Sequence, residues 1–123
     1  MMEAHKGTII NISSVSGLAG DYGMTAYNAS KATIVNMTRA MDYGKYGIRV
    51  NNVAPGPTNT SMFPQEMKEI FSQNSPLGRI VEPEEIAKTV YFMSTDDSSP
   101  ITDETIPITA GFELSTGQQN MMV

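Results

Sequence analysis

Short β-branched runs alternate along the chain with longer stretches of helical periodicity. Residues 8–12 form a nearly continuous β-branched run, which predicts a strand buried on both faces, as in parallel sheets. Residues 25–43 predict a helix, with Gly44 and Gly47 as its stop. Its predicted inner stripe comprises Tyr27, Lys31, Ile34, Thr38 and Met41. Residues 48–53 are the second predicted strand, ended by a Pro-Gly-Pro turn.

The remainder of the chain predicts two more helices and a last strand. Pro64 is predicted as the first position of a short helix, and Pro83 begins a longer one. The predicted inner stripe of the longer helix is Ile86, Val90 and Met93. Residues 96–100 are a turn-rich loop, and residues 105–108 predict an edge strand because Pro107 cannot donate to a ladder. This alternation predicts an α/β architecture with right-handed crossovers.

Composition narrows the function classes. At 123 residues the chain is one domain at most. A net charge of −5, without clusters of Lys or Arg, argues against a nucleic-acid surface. No apolar run predicts a membrane span, and no secretion signal is recognised. With no Cys and one His, disulfides and a zinc site are excluded, and a cytoplasmic location is expected.

Three side chains form the main candidate for chemistry. Tyr27 and Lys31 lie four residues apart on a predicted helix, so they share one face. A cation beside a phenol favours the phenolate, which suits a general acid/base. Ser14, thirteen positions before Tyr27, ends the first predicted strand and could donate a hydrogen bond to a substrate oxygen. Taken alone, such a pair is more often a core tyrosine beside a solvated lysine.

The surrounding segments carry more information than the pair itself. Gly-Thr-Ile-Ile-Asn-Ile-Ser-Ser at 7–14, Tyr-Asn-Ala-Ser-Lys at 27–31 and Asn-Asn-Val-Ala-Pro-Gly at 51–56 occur in this order. Together they resemble the C-terminal half of the short-chain dehydrogenase/reductase family, from Gly7 to about Leu114. The resemblance implies the C-terminal part of a Rossmann-like doubly wound parallel sheet, with three strands and flanking helices. Residues 1–123 would then be a single partial domain.

Several family motifs belong upstream of this region. These are the Gly-rich turn, the residue that selects the cofactor, an Asn-Asn-Ala-Gly strand and a catalytic helix Asn, and the sequence contains none of them. The N-terminal nucleotide-binding half is therefore expected to be absent. Residues 1–4 resemble the end of the helix that precedes the family's fifth strand.

The resemblance implies hydride transfer between NAD or NADP and a secondary alcohol or ketone. Tyr27 would move the hydroxyl proton, Lys31 would favour the tyrosine's ionised form and bind the nicotinamide ribose, and Ser14 would polarise the substrate oxygen. Ser13 competes with Ser14, but the family spacing to Tyr27 favours Ser14, and strand alternation puts the two serines on opposite sides. Ser16 is interpreted as a loop residue that caps backbone groups.

A second segment resembles the part of the family that lines the nicotinamide. Here Pro55 and Gly56 form the turn, and Gly56 would let the backbone approach the ligand closely. The main chain near Thr58 and the Thr60 hydroxyl would meet the carboxamide, although the family more often has an aliphatic residue at position 58. The alternative is a rigid double-proline turn.

The segment that follows occupies the family's variable substrate lid. Its apolar residues are Met62, Phe63, Met67, Ile70 and Phe71. Met-rich apolar surfaces adapt to their ligands, so a small hydrophobic ketone or alcohol is compatible, but helix packing explains the same residues equally well.

Other positions are interpreted as structural or as departures from the family. Asn11 and Asn51 would tie loops to strand ends, and His5 would be an exposed terminal residue. Near the end of the chain, the usual Gly, Asp and Gly of the family are replaced by Asp103, Thr109 and Ala110. That region often forms subunit contacts, so the oligomer geometry does not carry over from the family.

Three hypotheses of different kinds follow. The chain is an oxidoreductase or its catalytic half, a non-catalytic remnant that acts as an interaction module, or a fragment of a longer protein. For the first, the expected partners are a small alcohol or ketone and either a second copy or the complementary N-terminal half. Residues 8–12 would otherwise form an open apolar sheet edge.

Overall fold

The computed structural model describes residues 1–114 and shows a parallel sheet flanked by helices. The strands, in the spatial order β1-β2-β3, are β1 (Gly7–Ile12), β2 (Ile48–Pro55) and β3 (Thr105–Ile108). The α-helices are α1 (Thr25–Ala40), α2 (Lys68–Gln73) and α3 (Pro83–Ser94). Both strand pairs are parallel, with Ile9 opposite Val50 and Val53 opposite Ile106. The predicted α/β class with three parallel strands is confirmed.

The core lies around β2, the central strand. Val50, Val53 and Ala54 are fully buried. Helices cover this strand with Val35 from α1 and Met93 from α3, both buried. A strand with a neighbour on each side and helices nearby needs apolar side chains in both directions, which is why its sequence lacks strict alternation.

The edge strands are less buried than β2. Residues 7–11 of β1 are only partly buried and Ile12 is 44% exposed, so the prediction of a strand buried on both faces is wrong for the described chain. The physical reason is that β1 has a neighbouring strand on one side only. Thr105–Ile108 is an edge strand as predicted, with Pro107 exposed.

Helix α1 begins as predicted but ends at Ala40, three residues early. Met41 leaves the helical conformation with a ψ of 61°, while its N–H still donates to the carbonyls of Met37 and Thr38. Beyond it, Asp42 accepts a hydrogen bond from the N–H of Gly44, which starts a 3-10 turn. A side chain that bonds the backbone two residues ahead favours a turn over a helix, so the helix stops before either glycine.

Two predicted helix boundaries also differ. Pro64 is not the first helical residue: its extended ψ of 117° places it before a 3-10 turn, Gln65–Met67, from which α2 continues. Residues 2–5 form a turn rather than the end of a helix, closed by the N–H of His5 donating to Met2. Helix α3 does begin at Pro83, as predicted.

Arg49 fastens β2 to the end of α3. Its guanidinium donates to four backbone carbonyls at 2.9–3.1 Å, those of Met93, Thr95, Ser98 and Ile101. The last carbonyls of a helix have no intrahelical donor, and a forked cation can satisfy several of them at once. One side chain thus organises the connection between α3 and β3.

A surface ion pair marks the beginning of α3. The Glu85 carboxylate accepts two hydrogen bonds from Arg79, at 2.7 and 2.8 Å, and one from the N–H of Glu82. The Arg79 hydrogen bonds, followed by that of the Glu82 backbone, lower the pKa of Glu85 to about 2. The same pair raises the pKa of Arg79. Glu85 therefore stays ionised and caps the helix start at any ordinary pH.

Two departures from the family pattern coincide with left-handed backbone. Asp103 has a φ of 62° and Ala110 a φ of 57°. These are the positions where the family usually has glycine, which adopts such angles without strain. A short polar residue such as Asp tolerates the left-handed region better than Ala does. Ala110 is therefore the more strained of the two.

Ala110→Gly is expected to stabilise the protein by about 1 kcal/mol, because glycine adopts the left-handed conformation without strain. The higher conformational entropy of glycine in the unfolded chain offsets part of this gain. Urea unfolding measures this as a higher midpoint at unchanged slope. Asp103→Gly serves as the comparison and should gain less. A lower midpoint for Ala110→Gly would contradict the strain.

Candidate active site

Ser14 lies directly after β1, at the carboxyl end of the sheet. It precedes a 3-10 turn, Val15–Gly17, and its Oγ accepts a hydrogen bond from the N–H of Ser16 at 3.1 Å. The expectation that Ser16 caps the backbone is wrong: Ser14 is the cap and Ser16 supplies the donor. Because a hydroxyl accepts and donates at once, Ser14 keeps its hydrogen for another acceptor.

Ser13 points the other way, into the interior. It is 4% exposed, its Oγ accepts from Asn52 Nδ2 at 2.8 Å, and its N–H donates to Val53 at 2.9 Å. Ser14, next to it, is only partly buried. The predicted alternation of the two serines is confirmed by this geometry, and Ser13 is engaged in the core.

Tyr27 and Lys31 lie in the first turns of α1 on one face. The Lys31 ammonium is 5.6 Å from the centre of the Tyr27 ring. The ring is 43% exposed, so it does not pack in the core of the described chain, and Lys31 is partly buried. Helical spacing alone brings the cation and the phenol together, as predicted.

The loop over residues 14–24, the serine loop, contacts α1 at two points. At the first, Gly17 approaches the helix so closely that a Cβ there would lie 2.7 Å from the carbonyl carbon and oxygen of Lys31. At the second, Asp21 and Asn28 exchange two hydrogen bonds of 3.0 Å, from the Asp21 N–H and from Asn28 Nδ2. These contacts hold the serine loop against the turns that carry the tyrosine and the lysine.

The Pro55–Thr60 segment leaves β2 at the same end of the sheet. Gly56 donates to Ile108 at 2.9 Å, and a Cβ on it would lie 2.9 Å from Thr109. The lack of a side chain at Gly56 thus lets β2 lie close to the end of β3. Pro55 itself is the last residue of β2, two residues beyond the predicted end.

Thr58 and Thr60 present the polar groups of this segment. Thr58 pairs with Val81 in an isolated parallel bridge, and its hydroxyl donates to the Gly56 carbonyl at 2.8 Å. Among residues 1–114, no backbone carbonyl accepts the Thr58 N–H. Thr60 is exposed. Within residues 1–114, this N–H and the Thr60 hydroxyl have no hydrogen-bond partner, and they are the two groups that were expected to meet a carboxamide.

The lid segment is largely exposed, but its aromatic residues pack together. Phe63 and Phe71 meet edge to face with ring centres 5.6 Å apart, and Phe71 lies 5.3 Å from Phe112. Packing between aromatic rings therefore accounts in part for the apolar character of Phe63 and Phe71. Met62 and Met67 remain 91% and 38% exposed.

A groove of about 350 Å³ begins one residue after Ser14. It runs between the serine loop, the end of α2 and the segment after β3. Its polar lining consists of Asp21, Asn74 and Glu113, with Val15 and Phe112 among the apolar residues. This groove lies beside the serine loop, between it and Phe112.

Four residues of this arrangement were not singled out from the sequence. They are Gly17, Asp21, Asn28 and Asn52, which position the serine loop and its neighbours. Asn28 stands inside the Tyr-x-x-x-Lys motif, and Asn52 inside the Asn-Asn-Val-Ala-Pro-Gly motif, so the motifs did carry a signal. Asn51 does tie a loop to its strand, as predicted, through Ile101 and Glu104, whereas Asn11 donates to Thr38 and so ties β1 to helix α1 and not to a loop.

The described residues contain neither a group of side chains suited to a metal ion nor a helix that could cross a membrane. Within residues 1–114, His, Asp and Glu nowhere gather in threes around a possible ion. No helix of that part is long and apolar enough to span a bilayer. His5 is exposed, as expected.

Comparison with known proteins agrees with the fold and motifs. A family model described as enoyl-(acyl carrier protein) reductase matches residues 1–113. A meso-2,3-butanediol dehydrogenase of Serratia marcescens is 43% identical over 95% of this chain and 49% of its own length. A 3-oxoacyl-(acyl-carrier-protein) reductase of Thermotoga maritima is 40% identical over 90% of this chain and 47% of its own length.

Solved structures agree as well. A crystal structure described as ribose-5-phosphate isomerase from Brucella melitensis 16M matches with a TM-score of 0.86 and 31% identity, covering 94% of this chain and 48% of that one. The chain spans about half the length of the curated relatives it matches. The family match over residues 1–113 and these dehydrogenase and reductase relatives show that the chain belongs to the short-chain dehydrogenase/reductase family of oxidoreductases.

Proposed function

We propose that the chain is the catalytic half of an oxidoreductase that interconverts a secondary alcohol and a ketone with NAD or NADP. The observation that carries the proposal is the placement of Ser14, Tyr27 and Lys31. All three lie at the carboxyl end of β1 or in the first turns of α1, the end of an open α/β sheet where ligands bind.

Each side chain has a role that its geometry supports. During ketone reduction, the Tyr27 hydroxyl gives its proton to the carbonyl oxygen, and the neighbouring Lys31 cation stabilises the phenolate left behind. Ser14 donates a hydrogen bond to the same oxygen and stabilises the charge that develops on it. Alcohol oxidation runs these proton transfers in reverse.

The residues present fit the nicotinamide end of the cofactor. The Thr58 N–H, which has no partner among residues 1–114, and the exposed Thr60 hydroxyl can hold a carboxamide, and the Lys31 ammonium can hold ribose hydroxyls. Bound NAD or NADP supplies or accepts the hydride. The groove beside the serine loop, of about 350 Å³, would admit a small alcohol or ketone.

The test begins with the protein as its source cell makes it. Intact mass shows the length of that chain, and nicotinamide absorbance then follows turnover with NAD or NADP and a series of secondary alcohols. We expect turnover of at least one alcohol, and a loss of about 10²-fold or more in Ser14→Ala. Absence of turnover with both cofactors, or an unchanged rate in Ser14→Ala, would overturn the proposal.

Residues 1–123 by themselves are expected to bind NAD or NADP only weakly. The pyrophosphate site of this fold is a Gly-rich turn that opens onto a helix N-terminus, and the sequence has no Gly-x-Gly-x-x-Gly pattern. Only nicotinamide and ribose contacts would remain. Calorimetry on this chain measures the affinity, and a micromolar dissociation constant would require a different phosphate site.

The second candidate is a non-catalytic interaction module, and the open β1 edge favours it. Whichever candidate holds, we expect residues 1–123 to be stable only in an assembly, through pairing at β1 and α1 with a complementary half or a second copy. Light scattering after size exclusion, with thermal unfolding at several concentrations, tests this. A monomer that melts cooperatively at a concentration-independent temperature would contradict it.

A further inference from the structure

Asn52 lies at the centre of the sheet, on β2. It is fully buried, and its Nδ2 donates to Ser13 Oγ at 2.8 Å and to Thr105 Oγ1 at 3.2 Å. These two hydroxyls belong to the residue that follows β1 and to the first residue of β3. One amide on the central strand is therefore bonded to the residue after β1 and to the first residue of β3.

The other half of this amide has no partner. Asn52 Oδ1 is buried, and no donor among residues 1–114 reaches it. The two neighbouring hydroxyls can donate as well as accept, so they could pair with either atom of the amide. A buried unpaired polar atom costs stability that an apolar side chain of similar size avoids. Packing alone therefore does not account for an asparagine here.

Ser13, which accepts the Asn52 hydrogen bond, is joined to Ser14 by one peptide unit. Ser13 is held to β2 twice, by Asn52 at its side chain and by the Val53 carbonyl at its N–H. Because successive side chains of an extended segment point to opposite sides, fixing Ser13 inward fixes Ser14 outward. The Ser14 hydroxyl then accepts the N–H of Ser16 and closes the 3-10 turn.

We propose that Asn52 is a positioning residue for Ser14, acting through the buried hydrogen bond to Ser13. The proposal rests on the function proposed above for Ser14. It differs from that function in assigning a role to a side chain that touches neither substrate nor cofactor.

The neighbouring asparagine provides a matched control. Asn51 is also fully buried on β2, and both polar atoms of its amide have a partner: Nδ2 donates to Ile101 at 2.9 Å, and Oδ1 accepts from the N–H of Glu104 at 3.1 Å. These bonds lead to the 101–104 loop and not to Ser14. Asn51→Ala therefore removes an equally buried amide without touching the serine loop.

The kinetic test is a double-mutant cycle in the protein as its source cell makes it. Asn52→Ala is expected to lower kcat about tenfold with little change in KM, a fraction of the effect of Ser14→Ala. In the Ser14→Ala background, Asn52→Ala should lower kcat no further, because its effect passes through the missing hydroxyl. The proposal would be overturned if the effects of Ser14→Ala and Asn52→Ala on kcat multiply in the double variant. It would also be overturned if Asn51→Ala lowers kcat as much as Asn52→Ala does.

Amide hydrogen exchange tests the same proposal without requiring activity. The N–H of Ser13 and that of Ser16 should exchange at least several-fold faster in Asn52→Ala than in Asn51→Ala. Ser13→Ala, which removes only the accepting oxygen, should accelerate Ser16 as well, and it serves if Asn52→Ala does not fold. If the wild-type protein shows no turnover but these amides respond, the proposed function fails while the positioning stands. Unchanged Ser16 exchange in Ser13→Ala overturns the positioning.

Discussion

Tyr27→Phe is expected to lower the rate of hydride transfer by at least about 10²-fold, the usual contribution of a positioned acid/base group. The substitution removes only the hydroxyl. It keeps the ring, whose centre lies 5.6 Å from the Lys31 ammonium. Because the ring is 43% exposed, losing one oxygen should barely change stability. The measurement is kcat/KM, with unfolding followed in parallel.

A second exposed tyrosine controls for the loss of a phenol. Tyr91 lies on α3 and is 73% exposed, so Tyr91→Phe should leave kcat/KM within a factor of two. Lys31→Ala should lower the rate about as much as Tyr27→Phe, since it removes the cation beside the phenol and the proposed ribose contact. Activity of Tyr27→Phe within a few-fold of wild type would reject the acid/base role.

Arg49→Leu is expected to lower the free energy of unfolding by about 3 kcal/mol or more, on the basis that a hydrogen bond to a charged group contributes about 1.5–3 kcal/mol. Four carbonyls from Met93 to Ile101 would each lose a charged hydrogen-bond donor, and the end of α3 would lose its attachment to β2. Such a loss is large beside the typical ~5–15 kcal/mol of a domain. Urea unfolding of the folded assembly measures it.

Arg79→Leu is the matched control. It removes another arginine, whose main partner is the exposed Glu85 carboxylate, and exposed ion pairs contribute little. We expect the urea midpoint to stay close to that of the wild type. Equal midpoints for the Arg49 and Arg79 variants would show that the carbonyl cluster gains little from the guanidinium.

The sequence predicted the elements of secondary structure best where a single local rule determined them. The β-branched run at residues 8–12 predicted β1, and Pro83 marked the start of α3, because these depend on side-chain shape and on a missing N–H. The end of α1 was predicted too late because the Asp42 side chain, which bonds the Gly44 N–H, competes with the helix from inside the predicted range.

Within the candidate site, the sequence determined what helical and strand periodicity can determine. It put Lys31 beside Tyr27 and turned Ser14 away from Ser13. Family motifs, in order, determined the fold class. The contacts that hold these parts together became visible only in the folded chain: the close approach of Gly17 to α1, the packing of Thr109 beside Gly56, and the hydrogen bond from Asn52 to Ser13. Such contacts join residues far apart in the chain, and a local sequence pattern does not specify which distant atoms come into contact in the folded protein.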